Sequence, residues 1–210
     1  MTLDSSAVTE VHRPEGNLEP GALLRDGVPV RIRAAKETDR EAVEDFLRTV
    51  SKESLKLRFF SAIRTQSVVE EVLGQAVFPS RLSLLLLTDE PHPRIIGHGE
   101  YVRFPTDPTR AEVAFLIADG FRSRGGATLL LHALARIARR EPISTFVACV
   151  LRENLAMQDV FTGSGYPYSV VIEEGEVLVE LDIREQPRER VVPIYLRGKV
   201  PDRHGDPLST

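Results

Sequence analysis

The sequence predicts an α/β fold, and three observations carry that prediction. Apolar spacing switches repeatedly between period two and helical spacing, giving the order β-α-α-β-β-β-α-β-α-β-β. Two strand-like runs, RIIGHGEYVRF and AEVAFLIA, face each other across a turn at TDPT, an antiparallel hairpin with Pro105, Asp107 and Pro108 in its loop. The second run then feeds, through the Arg/Gly turn RSRGGAT, a strongly amphipathic helix ending near Ala138.

Taken in chain order, residues 1–25 carry Pro14, Gly16, Pro20 and Gly21 among polar residues, with too little apolar spacing to bury anything, and read as a flexible lead. A domain over 26–183 follows. VPVRIRAA alternates apolar and basic residues as a first strand; Thr38 and Asp39 then cap a helix whose Val43, Phe46, Leu47 and Val50 recur on one face. Ser51 and Ser54 open a short turn of helix running into Leu55, Leu57, Phe59 and Phe60, and a further helix spans about Val68 to Ala76. SLLLLT is apolar without alternation, the mark of a strand covered on both faces. After the hairpin and the amphipathic helix, which aligns Leu130, Leu131, Leu134 and Ile137, STFVACVL gives a fifth strand. Asn154 starts a helix to about Gly163, and YPYSVVIEEGEVLVELDI closes the domain as a hairpin turning at Glu174 and Gly175. Residues 184–210 are charged and Pro-rich around the apolar island VVPIYL, a tail or linker.

The central turn carries the chemistry. A turn that opens a helix leaves several backbone N–H groups unpaired at the positive end of the helix dipole, so a phosphate group is its natural occupant. The glycine turn lacks the Lys-Ser/Thr close of a P-loop and the G-x-G-x-x-G of a dinucleotide site. Instead Arg122, Gly125 and Ala127 spell R-x-x-G-x-A. This resembles the pyrophosphate-binding motif of the GNAT superfamily, the CoA-dependent N-acyltransferases, whose fold is a mixed, mostly antiparallel sheet flanked by helices. Asn154, Met157, Gly165 and Tyr166 resemble the superfamily's later motif N-x-x-A/M followed by G-F/Y. More narrowly, DGVPVRIRAAKETDREAVEDFLRTVSKESLKLRFFSA, IIGHGEYVR and AEVAF are similar to the GNAT domain of bacterial Pat-type protein lysine acetyltransferases, often fused to an acyl-CoA synthetase-like module. The likeness covers roughly residues 22–183.

The resemblance implies acetyl-CoA as co-substrate and a lysine of a partner protein, an acyl-CoA synthetase among the candidates, as acceptor. It implies that Glu112 is the general base, whose place on a half-buried central strand could lift its pKa. It implies backbone N–H groups from Arg124 through Gly125, Gly126, Ala127 and Thr128 around the pyrophosphate, Arg122 and Arg124 reaching phosphates or facing water, and a thioester-oxygen donor within Phe115, Leu116 and Ile117. Asn154 would bond the pantetheine arm or simply cap its helix. His98 and Glu100 share a face of the preceding strand and could reach the same cleft. Two departures stand out. Phe161 occupies the place where many members carry a general-acid Tyr, leaving Tyr166 and Tyr168 as substitutes only if they point into the cleft. Gly126 replaces the usual apolar residue, suggesting a looser loop.

Composition narrows the remaining classes. At 210 residues, 42% hydrophobic and 28% charged with net charge -4, the chain has the make-up of a soluble globular protein without the basic footprint of a nucleic-acid binder. It has no apolar run of about 18 residues for a membrane span, and MTLDSSAVTE has neither the basic nor the apolar region of a secretory signal. The one cysteine, Cys149, reads as core packing and fits a reducing cytoplasm. Neither metal-ligand spacing nor a G-x-S-x-G or Cys/His nucleophile pattern occurs, so no metal and no acyl-enzyme are expected. An acyltransferase for a small amine, and a non-catalytic acyl-CoA-binding domain, remain the alternatives.

Overall fold

In the computed structural model, which describes residues 14–59, 65–73, 78–173 and 175–188, seven strands form one sheet in the order β1-β2-β3-β4-β5-β7-β6. The strands are β1 (Val30–Ala34), β2 (Arg81–Thr88), β3 (Ile95–Phe104), β4 (Asp107–Ile117), β5 (Thr145–Leu151), β6 (Tyr168–Glu173) and β7 (Glu176–Asp182). The helices are α1 (Arg40–Arg48), α2 (Lys52–Phe59), α3 (Thr65–Leu73), α4 (Gly126–Ala138) and α5 (Leu155–Thr162). Every neighbouring pair of strands is antiparallel except β4 and β5, which are joined by the crossover helix α4 and run parallel. The expected α/β fold is therefore present, with three helices rather than two between β1 and β2, because Lys52–Phe59 is a full helix of its own.

Two apolar clusters hold the layers together. On one face, Val30, Ile32 and Ala34 of β1, the alternate leucines Leu82, Leu84 and Leu86 of β2, and Val113 and Phe115 of β4 pack against Leu130, Leu131 and Leu134 of α4. On the other, Leu85, Leu87 and Leu116 meet Val43, Phe46 and Leu47 of α1 and Val68 and Val72 of α3. Covering on both sides explains why β2 reads as an unbroken apolar run while β1, with Arg31 and Arg33 less covered, alternates. Asp39, expected as a helix cap, makes no side-chain cap bond to α1; it accepts from the Lys36 N–H at 2.8 Å and forms a two-pronged pair with Arg33 at 2.7 Å.

Three local readings change. The β3–β4 hairpin is tighter than expected: β4 starts at Asp107, and only Pro105 and Thr106 connect the strands. Asp107 accepts from the Thr109 N–H and hydroxyl, and Arg103 donates to the Pro108 carbonyl, which draws both residues into the ladder. Residues 14–25 of the expected lead lie against the domain: Leu18 N–H donates to Ile32 O at 2.7 Å, Val30 N–H to Ala22 O at 3.0 Å, and Leu24 is only 3% exposed. At the other end, Arg139 donates to the Ile183 and Glu185 carbonyls and to Gln186, while Arg188 N–H bonds Gly165 O. Phe60, Glu174 and the island VVPIYL lie outside the described residues.

Glycines set the spacing between β3 and α4. A Cβ added at Gly99 would come within 2.8 Å of the Phe115 ring and 3.2 Å of Leu130 Cβ. Gly99→Ala should therefore overpack this layer, lowering the urea-unfolding free energy by about 1–3 kcal/mol with an unchanged m-value.

Candidate active site

The site begins where β4 leaves β5. The two strands are in register only at Arg110–Thr145, Ala111–Phe146 and Glu112–Val147, after which they part. Ala118 N–H donates to Ile96 of β3, whereas Thr109 O accepts from Ser144 beside β5, so alternation turns the amides of Val113, Phe115 and Ile117 toward the β5 side. Leu116, in register with His98, turns its amide toward β3 instead, which narrows the expected donor set of Phe115, Leu116 and Ile117 to the two odd positions. The gap widens into a cleft of about 450 Å³ walled by Glu112 to Ile117, Arg122 and the turn from Gly125 to Thr128, Cys149, and Asn154 with the inner face of α5.

At one end lies the cradle. Gly125 caps α4 with φ of 89°, and Ser123 is also left-handed at φ of 60°, so the turn bends twice and faces its amides inward. The Leu129 N–H donates to Gly125 O, leaving the N–H groups of Gly126, Ala127 and Thr128 ahead of the first intrahelical bond. Gly126 is buried, and a Cβ there would meet Leu86 at 2.8 Å and Leu24 at 3.8 Å. Close packing on β2, rather than looseness, accounts for this departure from the motif.

Arg122 and Arg124 are already engaged. Arg122 donates to Ser54 Oγ at 3.2 Å; Arg124 pairs with Asp26 at 2.8 Å and lies over the Phe121 ring. Beside them Asp119 accepts from the Ser51 N–H at 3.1 Å and the Ser54 hydroxyl at 2.7 Å, tying the start of α2 to the cradle. Burial pushes its carboxyl up, but these hydrogen bonds prevail and hold it below the usual range.

At the other end Glu112 stands on the cleft wall, an exposed position between the buried Ala111 and Val113 of β4. Cys149 lines the same cleft and is partly open, so the core-packing reading is corrected. Its thiol donates to Glu176 Oε2 at 2.9 Å, and burial, that bond and the charges of Glu176 and Glu112 push its pKa up to about 12. Asn154 does cap α5, accepting from the Met157 N–H at 3.3 Å, while also lining the cleft. Phe161 is buried and packs on Phe115 with ring centroids 5.8 Å apart. Tyr166 turns its hydroxyl to Arg139 at 3.2 Å, and Tyr168 is exposed on the edge strand β6; neither lines the cleft.

His98 and Glu100, the competitors for Glu112, are fixed elsewhere. The Ser83 hydroxyl donates to Val72 O at 2.7 Å, so it accepts from His98 Nε2–H at 2.8 Å, and burial drives the imidazole pKa down to about 4. Glu100 is clasped by Arg58 at 2.7 Å and Arg81 at 2.6 Å; burial opposes its charge, yet the two guanidiniums keep it ionised below the usual range. Among the cleft residues that sequence reasoning missed are two arginines, Arg58 from α2 and Arg25 from the lead. Among the described residues there is no group of three or more His, Cys, Asp or Glu side chains fit to hold a metal, and no helix long and apolar enough to cross a membrane.

A mixed sheet that splays beside a parallel pair, with a glycine cradle at the head of the crossover helix, defines an acyl-CoA-dependent acetyltransferase fold. The family described as the acetyltransferase (GNAT) domain matches residues 30–166, and the chain belongs to it. It is 29% identical over 135 residues to acetyltransferase Pat of Mycolicibacterium smegmatis, a match spanning 63% of this chain and 39% of that protein. It is 26% identical over 145 residues to acetyltransferase PA5475 of Pseudomonas aeruginosa, covering 68% of this chain and 77% of that protein. Among solved structures, the GNAT domain of S. lividans PAT is similar with a TM-score of 0.70 and 32% identity over 79% of this chain and 97% of that one. RimL, the ribosomal L7/L12 alpha-N-protein acetyltransferase solved with coenzyme A, shares the fold with a TM-score of 0.61 at 16% identity, over 79% of this chain and 98% of that one.

Two outcomes follow from the buried and half-buried groups. Because His98 binds its proton less readily when folded than at the ordinary 6.5, its contribution is complete above that pH and lost as pH falls toward 4. Unfolding free energy should drop by about 2 kcal/mol between pH 7 and pH 5, and His98→Gln should flatten that slope. Since the chain has one cysteine, its raised pKa predicts that iodoacetamide at pH 7.5 labels the native protein far more slowly than the urea-unfolded chain, as read by intact mass.

Proposed function

We propose that this domain moves an acetyl group from acetyl-CoA directly to the ε-amine of a lysine in a partner protein, with Glu112 as general base. The observation that carries this reading is the placement of Glu112: an exposed carboxylate on the wall of a cleft whose far end is the Gly125 cradle. Such exposure suits an acceptor that arrives on another protein. The similarity to Pat supports the protein substrate, and an acyl-CoA synthetase remains the partner class the resemblance suggests.

The chemistry assigns each group a task. The cradle amides and Thr128 hold the diphosphate, Asn154 and α5 flank the pantetheine arm, and the thioester lies in the gap between β4 and β5. A lysine with an ordinary pKa of about 10.4 is neutral in roughly one molecule in a few thousand at pH 7, so deprotonation governs attack. Glu112 takes the ammonium proton, directly or through one water; the amine nitrogen bonds the carbonyl carbon; the N–H of Phe115 or Ile117 steadies the oxyanion, worth about 3 kcal/mol. The bonded nitrogen gives up its second proton to solvent at the open wall of the cleft, and the intermediate then collapses with cleavage of the C–S bond. Phe161 has no proton to give, so CoA departs as thiolate and is protonated by solvent. Cys149, held as a neutral thiol, is no competing nucleophile.

Incubation with labelled acetyl-CoA and cell extract should label protein bands in the wild type. Glu112→Gln should reduce that rate by about 10²-fold or more near pH 7 while leaving acetyl-CoA affinity unchanged, and part of the rate should return at pH 9.5, where free amine is plentiful. Equal labelling by both proteins would remove Glu112 from the mechanism.

A further inference from the structure

Arg25 lies ahead of residues 30–166, the part of the chain that matches the family, yet it reaches the cleft. It sits in a small clasp: Leu24 N–H donates to Val28 O at 2.9 Å, Gly27 N–H to Leu24 O at 2.9 Å, and Gly27 turns the chain with φ of 85°. Three contacts dock the clasp on the cradle. Arg25 N–H donates to Arg124 O at 2.9 Å, Asp26 pairs with Arg124 at 2.8 Å, and Leu24 is buried against Gly126. The Arg25 side chain then runs across the bare face of Gly125: its Cγ, Nε and Cδ lie 3.3, 3.4 and 3.8 Å from where a Cβ of that residue would stand.

Of the three arginines around the turn, two are occupied, Arg124 by Asp26 and Arg122 by Ser54. The guanidinium of Arg25 makes no hydrogen bond or ion pair among the described residues. An exposed fork of donors, held by its stem over a set of inward-facing amides, is suited to a phosphate oxygen. We propose that Arg25 contacts the diphosphate of the acyl-CoA, closing the cradle from the side opposite the α4 amides. This rests on the cradle being the diphosphate site. The Asp26–Arg124 pair has a supporting part: by neutralising Arg124 it keeps the clasp docked and leaves Arg25 as the available cation.

The test is calorimetric titration with CoA and with dephospho-CoA, which lacks the 3′-phosphate, on wild type, Arg25→Ala, Arg25→Lys and Gly125→Val. Arg25→Ala should weaken both ligands about tenfold at 50 mM salt, and the deficit should shrink severalfold at 0.5 M, because an exposed charge contact is screened. Arg25→Lys, which keeps the stem and the charge but not the fork, should fall between. An unchanged unfolding midpoint of unliganded Arg25→Ala shows that the clasp stays docked; should it fall, the salt dependence and the lysine variant still separate charge from packing. A change below twofold, a deficit insensitive to salt, or a loss confined to CoA overturns the proposal. Those results, with wild-type binding intact and abolished by Gly125→Val, leave the cradle reading standing, whereas a wild type that binds neither ligand sinks both.

Discussion

The parting of β4 from β5 is the constraint on which the rest of the molecule depends. A parallel pair that stays paired buries its ladder and leaves no opening. Here the pairing lasts three residues, and beyond it the amides of Phe115 and Ile117 on that side face a gap instead of a strand. Polar backbone left without a partner is costly unless water or ligand supplies one, so the splay is sustained only because the surroundings are stiff on either side. β3 holds β4 over eight residue pairs, and β7 holds β5 over seven. The crossover helix α4 is anchored by Leu130, Leu131 and Leu134, all fully buried, so the cradle at its head cannot drift from the gap.

Charge organises the side of the cleft facing α2. Arg58 and Arg81 converge on Glu100, and Glu71 is drawn into the same knot through Arg58. Burial comes first in raising the Glu71 carboxyl above its usual range, with Glu100 nearby adding to it. A knot of this kind contributes little net stability, since desolvation offsets attraction, but it fixes geometry: removing either arginine would strand a buried carboxylate. It holds α2 and α3 to the sheet at a defined height, as Asp119 does at the other end of α2. Glu112 lies outside both networks and keeps its carboxylate on the open wall of the cleft.

Periodic segments were legible in the sequence, and nonperiodic ones were not. The cradle helix and most strands follow from helical spacing or alternation, because one face of each is buried, and β2 follows from an unbroken apolar run, because both of its faces are covered. The segment before β1 escaped notice because Leu18, Ala22 and Leu24 pack from irregular backbone, where burial leaves no period to read. Arg25 was invisible for the same reason. Within the cleft, R-x-x-G-x-A marked the cradle, but nothing in the linear pattern tells that Arg122 and Arg124 spend their charge on Ser54 and Asp26, or that Cys149 turns to Glu176 rather than into the core. Those outcomes depend on contacts between residues far apart in sequence. Period two places His98 and Glu100 on one face of β3, but only the tertiary structure reveals that helices cover both and keep them out of the cleft.

The replacement of a hydroxyl by Phe161 bears on which step the proposed chemistry can do without. A thiol with an ordinary pKa near 8.5 is a better leaving group than an amine whose conjugate acid lies near 10.4, so once nitrogen has bonded and lost its proton, collapse favours C–S cleavage without an acid. The base is needed earlier, since an ammonium that keeps its proton has no lone pair with which to attack the thioester. An aromatic pair, Phe115 on Phe161, can therefore occupy the leaving-group side and contribute packing to the cleft wall, provided that a carboxylate stands on the amine side. On this reasoning a hydroxyl restored at position 161 changes the rate little, whereas the proposed base at position 112 governs how fast the reaction runs near pH 7, where free amine is scarce.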